Sequence, residues 1–341
     1  MNSLEDISKA VIDFSERECQ GSSPLYAALA MEVSSDMELL ELCQFGRLGQ
    51  PIPNLFFGSV HYLLLKGVNH PLGKFYPSIV NQPRNSKAAY PVFKEFCLSY
   101  KNEIVYLLKE KYVQTNEVKR CGYLYPVFSI IYENTNQPLA LIEIGTSAGF
   151  QLLWDNYAYS YGTGEWYGNS KSRLRMEVDI KGEKFPRMSK QSPEVGKRIG
   201  FDLNVVNLHN KEEKLWLKSL IWPEHVERVA MFDQAADYVL CNELSLIEGD
   251  GVELIDHYVE DIPSSNTICV YHTHVANQMS IDDKKKLLRK IEIIGATRDV
   301  YHIYNNVQDA KLHLDYYKNG KGHFSTVAET DNHGRYFTWL I

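Results

Sequence analysis

The chain has 341 residues, of which 44% are hydrophobic and 23% charged, and its formal net charge is -7. This composition is that of a globular protein long enough for about two domains of roughly 150 residues each. The negative charge provides no basic stripe of the kind that binds nucleic acid, and the longest apolar run, 55–65, is shorter than the roughly 20 residues of a membrane span.

The cysteines lie far apart in the sequence and include no C-x-x-C pair; they are Cys19, Cys43, Cys97, Cys121, Cys241 and Cys269. This spacing supports neither a zinc ribbon nor a disulfide framework. We therefore expect reduced, mostly buried thiols in a cytoplasmic protein.

Residues 1–137 have apolar positions at helical spacing and no stretch of period-two alternation. Pro24 and Asp36 mark the starts of two helices, 86–111 is long and amphipathic, and 118–133 continues the helical pattern. We therefore predict an all-helical N-terminal cap domain over 1–137, most of which serves as scaffold.

A polar segment precedes the last of these helices. Thr115 or Asn116 is placed to cap that helix. The same segment should lie near the carboxyl end of the strand that follows, where Asn116, Glu117 and Arg120 could line a pocket and close over a ligand. Both interpretations stay open.

The stretch 139–157 reads LALIEIGTSAGFQLLWDNY and predicts a strand, a tight turn and a helix. Such a turn places backbone N–H groups at a helix N-terminus, where they can meet a ligand. Gly145 and Gly149 remove the side chains that would block a close approach. The alternative is a plain β-α connection whose glycines only allow tight packing.

Three chemistries use a turn of this kind. A dinucleotide site needs G-x-G-x-x-G, but Ser147 and Phe150 stand at the second and third glycines. A nucleophile elbow needs G-x-S-x-G, which 145–149 satisfies with Ser147 as the nucleophile. The turn also resembles the S-adenosylmethionine turn of class I methyltransferases, with Glu143 at the strand end and Thr146 and Ser147 between the two glycines.

From residue 138 onward, strands and helices alternate, which predicts an α/β domain over 138–341 with a mostly parallel sheet. The expected helices are 212–220 and 282–293. A β-hairpin is expected at the end, around 331–334. The predicted fold is thus a seven-strand Rossmann-like sheet of the class I methyltransferase type that ends in an antiparallel hairpin. The segments with strand character are 139–144, 173–180, 200–206, 239–247, 267–271 and 299–304, followed by 324–329 and 336–341 in the hairpin.

Acidic residues follow several of these strands, where ligands of open α/β sheets bind. Carboxylates would repel a phosphate, whereas the ammonium and sulfonium groups of S-adenosylmethionine would be attracted. We expect Glu143 and the turn to hold its methionyl end, Asp179 or Asp202 its ribose hydroxyls, and Asp250 its adenine amino group. For each acid, the alternative is a helix cap or a surface charge.

Two histidines, His272 and His274, follow the strand 267–271 two residues apart, so on a strand they would point to the same face. One of them could serve as a general base. A pair without a third ligand in register does not predict a metal site, and structural histidines are a further interpretation.

Two other classes of function stay open. A serine hydrolase would use Ser147, Asp250 and one of three histidines, namely His272, His274 or His323. Glu143 argues against it, because a carboxylate would stand where an oxyanion needs donors. A methyltransferase-like fold that binds a ligand without catalysis is the other possibility, since fold does not determine function.

Several segments resemble an uncharacterised bacterial family that is classed as a domain of unknown function. They are SPLYAALA (23–30), NLFFGSVHYLLLKGVNHPL (54–72), TNEVKRCG (115–122), LALIEIGTSAGFQLLWDNYAYSYG (139–162), RIGFDLNVVNL (198–208), WLKSLIWPEHVER (216–228) and VYHTHV (270–275). Relatives tend to have proline at Val205 and serine at Thr273. The family is similar to class I S-adenosylmethionine-dependent methyltransferases in sheet and turn, which implies that fold and cofactor here. The substrate we expect is a small molecule, with no nucleic-acid or membrane partner.

Overall fold

A computed structural model of the chain describes residues 3–114 and 116–341, and it forms two compact units. The helical unit comprises Met1–Thr115 and His209–Phe232, and the sheet unit comprises Asn116–Leu208 and Asp233–Ile341. This division differs from the domains predicted from the sequence, 1–137 and 138–341, because 116–137 belongs to the sheet unit and 209–232 to the helical one.

The α-helices, numbered along the chain, are α1 (Leu4–Asp13), α2 (Pro24–Val33), α3 (Met37–Cys43), α4 (Ile52–Leu65), α5 (Tyr90–Ser99), α6 (Lys101–Glu110), α7 (Cys121–Thr135), α8 (Lys211–Ser219), α9 (Val226–Leu240), α10 (Gly251–Glu260) and α11 (Ile281–Thr297). A π-helical turn, Phe14–Cys19, follows α1, and short 3-10 helices cover Pro71–Phe75, Ser86–Ala88, Val118–Arg120, Phe150–Asn156 and Val275–Asn277.

The strands are β1 (Leu139–Ile144), β2 (Ala158–Ser160), β3 (Trp166–Gly168), β4 (Arg175–Glu177), β5 (Asp179–Lys181), β6 (Val195–Asp202), β7 (Ser245–Glu248), β8 (Thr267–His272), β9 (Val300–Tyr304), β10 (Leu312–Lys318), β11 (Lys321–Thr330) and β12 (Tyr336–Trp339). The part of the helical unit that the structure describes contains no strand, as the periodicity predicted.

Local signals set the helix starts of the helical unit. Ser23 caps α2, with Pro24 in the first turn, and the Asp36 carboxylate accepts hydrogen bonds from the first amides of α3. Both predicted starts are therefore confirmed. The single helix expected over 86–111 is divided into α5 and α6 at Tyr100, whose φ of -109° and ψ of 30° leave the α-helical region.

The helix α7 packs within the sheet unit, which explains why that unit begins before β1. Its apolar face carries Phe128, whose ring stacks on Trp154 at 4.5 Å and meets Tyr271 of β8 edge-on at 5.3 Å. Such aromatic contacts are among the larger single contributions to a core. The periodicity identified the helix but not the core to which it belongs.

A nine-stranded mixed sheet is the centre of the sheet unit, in the order β5-β12-β11-β10-β9-β8-β1-β6-β7. Five neighbouring strands, β7-β6-β1-β8-β9, are all parallel, and β10, β11 and β12 continue as an antiparallel meander. The mostly parallel α/β fold and the terminal hairpin of β11 and β12 are thus confirmed, with nine strands in this sheet instead of seven.

Several predicted elements of the sheet unit differ from the structure, among them the strand 200–206, which is Val195–Asp202 in the structure. The expected strand 173–180 is divided between β4, in a small sheet with β2 and β3, and β5, at one edge of the large sheet. The first part of 239–247 lies in α9 and in the turn after it, and β7 begins only at Ser245. The turn after β1 leads into the 3-10 helix Phe150–Asn156 and not into an α-helix.

The apolar residues of one sheet face pack against α10 and α11. Ile142 and Val270 of the sheet lie in one fully buried cluster with Ile255, Leu287 and Ile291 of these helices. No helix in the described ranges is long and apolar enough to cross a membrane. Five of the six cysteines are buried, and Cys241 is exposed.

Candidate functional site

The carboxyl ends of β1 and β8 form a topological switch point. From β1 the chain continues to β6 and β7 on one side, and it then crosses to β8 and β9 on the other. Open parallel sheets bind ligands at the crevice that such a reversal creates. The residues just beyond β1 and β8 are therefore the first candidates for a site.

The turn after β1 is tied to the end of β6. The amides of Gly145 and Thr146 both donate to the Phe201 carbonyl oxygen, at 2.8 and 3.0 Å. The Ser147 amide donates to the Asp202 carboxylate at 2.8 Å. We expected the N–H groups of this turn to meet a ligand, but these three already have partners within the protein, and the short 3-10 helix that follows contributes little dipole.

Both glycines of the turn have the left-handed backbone that favours glycine, with φ of 81° at Gly145 and 82° at Gly149. A Cβ at Gly145 would lie 2.8 Å from Val275, and one at Gly149 would lie 2.8 Å from Leu244. The glycines therefore serve tight packing as well as backbone conformation.

Glu143 is the acid at the end of β1, and its side chain is almost fully enclosed, with a residue exposure of 2%. The pKa of Glu143 is raised to about 8, mainly by burial; hydrogen bonding by Thr146 opposes this shift, and the nearby Asp202 contributes to it. The Thr146 hydroxyl donates to Oε2 at 2.8 Å. At neutral pH the carboxyl group consequently keeps its proton.

Arg120 brings a buried cation to the same end of the sheet, with an exposure of 6%. Its Nε donates to the Asn332 carbonyl oxygen at 2.9 Å, and its Nη1 lies 3.4 Å from the Thr273 hydroxyl. Its hydrogen bonds within the described residues all go to neutral oxygens, and no carboxylate there pairs with it. A buried, unpaired guanidinium is costly, so this position favours an anionic group.

The segment before α7 lies beside the turn and the loop after β8. The Asn116 side chain donates to the Thr146 carbonyl oxygen at 3.1 Å. Gln151 Nε2 donates to the Glu117 carbonyl oxygen at 3.5 Å. Thr273 donates to Gln151 Oε1 at 3.1 Å. Glu117, and not Asn116, caps the 3-10 helix Val118–Arg120; Thr115 lies outside the described residues. Asn116, Glu117 and Arg120 are thus brought to the switch point.

Three strand ends at this edge carry non-glycine residues with positive φ. They are Ser147 after β1 (51°), His274 after β8 (64°) and Asn306 after β9 (62°). Each such conformation costs about 1–2 kcal/mol for an ordinary residue. Hydrogen bonds hold them in place, such as the one from the His274 amide to Asn305 Oδ1 at 2.7 Å. Strain of this kind concentrates at functional sites.

Buried hydroxyl groups near the turn lack partners among residues 3–114 and 116–341. They include the Ser147 Oγ, and the phenolic oxygens of Tyr123 and Tyr271, which lie close to Thr273 and Glu143 but in poor hydrogen-bond geometry. Tyr271 is the register partner of Glu143. Because buried polar atoms are nearly always hydrogen-bonded in folded proteins, this group of hydroxyls is suited to bonding with a bound molecule.

The two candidate catalytic histidines do not share a face. The strand β8 ends at His272, and His274 lies beyond it in a left-handed turn. His272 is fully buried on the face covered by α11, with both ring nitrogens unpartnered in the described structure. His274 is half-buried, and its ring nitrogens lie 3.4 and 3.3 Å from the side-chain amides of Asn305 and Asn306.

Both histidines are neutral at ordinary pH. Burial lowers the pKa of His272 to about 3, with a contribution from Lys284. Burial also lowers the pKa of His274 to about 3, and the positive charge of Arg120 adds to the effect. A group with this pKa is a weak general base, since efficient bases have pKa values near the working pH.

The other three predicted acids lie in different places. Asp202, at the end of β6, reaches the turn through its bond to Ser147. Asp250 is exposed and caps α10, accepting from the Val252 amide at 2.8 Å. Asp179 is an exposed residue of β5, at the edge of the sheet away from β1. The structure therefore does not bring Asp179 to the turn.

The residues of a Ser147 triad are not assembled. The Ser147 hydroxyl has no hydrogen-bond partner among the described residues. Asp250 caps a helix, and His323 stacks on Tyr316 within the hairpin region, with ring centroids 4.6 Å apart. Within the same residues, no group of three or more His, Cys, Asp or Glu side chains is placed to hold a metal ion.

Sequence reasoning missed Gln151 and the hairpin loop 331–334. Gly334 approaches the backbone so closely that a Cβ there would lie 2.5 Å from Lys119. Its positive φ of 71° was signalled by the D-N-H-G turn. The sequence did not indicate the direction of that loop, because the direction depends on how β11 and β12 are placed in the sheet.

Comparison with known proteins identifies the family. The model of a family described as "Uncharacterized protein conserved in bacteria (DUF2332)" matches residues 8–339, and the chain therefore belongs to that family. Searches of curated proteins and of solved structures find no match.

Proposed function

From the geometry of the switch point, we propose that the sheet unit binds S-adenosylmethionine and transfers its methyl group to a small molecule. The bond between the methyl carbon and the sulfonium sulfur breaks as a bond to a substrate oxygen, nitrogen or carbon forms. Sulfur keeps the electron pair and becomes a neutral thioether, S-adenosylhomocysteine. The proton of the nucleophile passes to solvent or to a nearby base.

The observation that carries this proposal is the pair of buried, unlike groups at one edge of the sheet. Among the described residues, Arg120 has only neutral oxygens as hydrogen-bond partners, and Glu143 is enclosed beside the turn. Together they fit the carboxylate and the ammonium of an α-amino acid group, which is how the methionyl part of the cofactor ends. A bound ammonium would also stabilise the ionised form of Glu143.

Asp202 supports the same assignment at the second strand end. Its carboxylate lies at the turn, where it accepts from the amides of Ser147 and Asn204 at 2.8 and 2.9 Å. A carboxylate can accept two hydrogen bonds from vicinal hydroxyls, which is the pattern a ribose offers. Of the two acids that the sequence left open for this role, Asp202 is the one beside the turn.

In this proposal, most of the rate enhancement would come from positioning the cofactor and the substrate, because His274 is a weak base. Holding the methyl carbon in line with the nucleophile can contribute several kcal/mol, about 7–11 in favourable model reactions. We assign the role of candidate base to His274, because His272 points to the opposite sheet face among His302 and Tyr304. The cytoplasmic location and the small-molecule substrate stay predictions.

Calorimetry with three ligands tests the cofactor claim on unaltered protein. S-adenosylmethionine and S-adenosylhomocysteine should both bind, whereas 5′-methylthioadenosine, which lacks the amino acid group, should bind about 100-fold more weakly because it loses two charge-assisted contacts. No heat with the first two ligands at millimolar concentration would remove the cofactor from consideration. Binding without turnover on any substrate panel would favour a non-catalytic binding protein.

Serine hydrolysis is the second candidate, favoured by the positive φ and the unpartnered hydroxyl of Ser147. Its weakness is that no histidine contacts that hydroxyl within the described residues. Labelling with a serine-directed fluorophosphonate separates the two functions. Stoichiometric labelling that disappears in Ser147→Ala would establish the hydrolase, and its absence is expected from a methyltransferase.

A further inference from the structure

A cavity of about 460 Å³ opens between α11 and the strands β9, β10 and β11, on the sheet face opposite to Glu143. This volume lies within the roughly 300–1,000 Å³ typical of small-molecule sites. It belongs entirely to the sheet unit, and its lining does not include the turn 143–149. The cavity is therefore a site separate from the one described above.

His302 lies at the inner end of this cavity. It is fully buried, and neither of its ring nitrogens has a partner in the described parts of the chain. A neutral imidazole has one N–H donor and one acceptor nitrogen, and buried groups of this kind are almost always hydrogen-bonded. A ligand group that both donates and accepts, such as a hydroxyl, would satisfy a ring nitrogen facing the cavity.

The cations of α11 separate into two groups. Three have partners: Lys284 donates to the Asn306 carbonyl oxygen, Lys286 pairs with Glu253, and Lys290 pairs with Asp256. Lys285 and Arg289 have no hydrogen bond or ion pair to any described residue, and these two line the cavity. Their position one helical turn apart on the rim favours an anionic group of a ligand.

Two acids also line the cavity, and neither of them forms an ion pair with Lys285 or Arg289. Both oxygens of Asp315 are occupied, one by the Tyr304 hydroxyl at 2.7 Å and the other by the Ser325 amide at 3.3 Å. Glu292 is exposed and forms no ion pair with Lys285 or Arg289.

Apolar and aromatic side chains form the remaining wall. Tyr317 and Phe324 meet edge to face, with ring centroids 6.1 Å apart, and Leu288 lies on the helix side. Phe324 is 67% exposed, which is unusual for a phenylalanine on a strand. A planar ring placed against these side chains would cover apolar surface that now faces water.

The geometry points to a second binding site here, for a small aromatic carboxylate whose ring bears a hydroxyl group. The carboxylate would lie at Lys285 and Arg289, the ring against Tyr317 and Phe324, and the hydroxyl at His302. The inference does not rest on the proposed methyl transfer, because none of its residues belongs to the switch point.

Calorimetry with three simple probes tests each contact. We expect 4-hydroxybenzoate to bind, 4-hydroxybenzamide to bind at least about tenfold more weakly because it has no charge, and benzoate also more weakly because it has no hydroxyl. Equal affinity for 4-hydroxybenzoate and 4-hydroxybenzamide would show that Lys285 and Arg289 do not bind the carboxylate. Equal affinity for 4-hydroxybenzoate and benzoate would show that His302 does not bind the hydroxyl group. Either result would overturn that part of the proposal.

Exposed-residue variants provide the second arm and should fold. The double variant Lys285→Gln, Arg289→Gln should weaken 4-hydroxybenzoate binding about tenfold or more. The matched control Lys286→Gln, on the same helix but paired with Glu253, should bind as the unaltered chain does. No binding at millimolar concentration, or loss of binding in Lys286→Gln, would overturn the proposal.

Discussion

The protonation of Glu143 makes a stability prediction that the variant Glu143→Gln tests. In the folded protein the pKa of Glu143 is about 8, whereas the ordinary pKa of a glutamate side chain is 4.5. A carboxyl whose pKa is raised by folding favours the folded state most below the unfolded pKa, and this contribution is lost as the pH rises to about 8. Glutamine has no proton to lose and keeps an oxygen that accepts from Thr146.

The size of the effect follows from linkage. Between about pH 5 and pH 8, Glu143 alone should lower the free energy of unfolding by about 1.4 kcal/mol per pH unit. The free energy of unfolding of the variant, relative to that of the unaltered chain, should therefore rise by about 3 kcal/mol between about pH 5.5 and about pH 7.5. Because the chain has two units, a single unfolding transition is not guaranteed.

Hydrogen exchange of the β1 and β8 amides is the suitable measurement, because it reports on the sheet unit alone. Comparing the two proteins at the same pH cancels the intrinsic exchange rate. The control is Glu177→Gln, which changes an exposed glutamate of β4 and should show no pH-dependent difference. A Glu143→Gln difference that stays constant across this range would mean that Glu143 is ionised in the folded protein, and the reasoning about its burial would be refuted.

Three further predictions concern the same edge of the sheet. Asp202→Asn should weaken S-adenosylmethionine binding about 10- to 100-fold in calorimetry, whereas Asp179→Asn, at the far edge, should not change it; equal effects would refute the placement of the ribose. Gly149→Ala should lower stability by about 2 kcal/mol more than Gly162→Ala in thermal unfolding, because both have positive φ but only the first meets a side chain; equal losses would show that Leu244 moves freely. His274→Asn should keep the melting temperature, and His274→Val should lower it by the equivalent of about 1–2 kcal/mol, since asparagine tolerates a φ of 64°; equal melting temperatures would remove the argument from strain.

Local signals predicted the parts of this fold that depend on neighbouring residues. The strand β1, the glycines of its turn and the caps of α2 and α3 all follow from residues within one or two turns of the chain. Asp179 shows where such signals end: the alternation of 173–180 indicates a strand, but its partner strand lies far away in the sequence. The strand β10 was not predicted, although Leu312 and Leu314 alternate with His313 and Asp315; both faces of this strand are buried, so polar side chains lie inside the fold where the pattern indicates solvent.

The most informative features of the site arise from the tertiary fold, not from a motif. Arg120 and Glu143 are separated in sequence by the whole of α7, and the sequence indicated each as a candidate without indicating that both are buried. Only because α7 packs beside β1 and β8 do a buried cation and a buried acid come to the same strand ends, and the cation has no counterion in the part of the chain that the structure describes. The strained residues after β1, β8 and β9 converge there as well, and a fold that maintains buried charge and backbone strain at one place is best explained by a ligand that uses both.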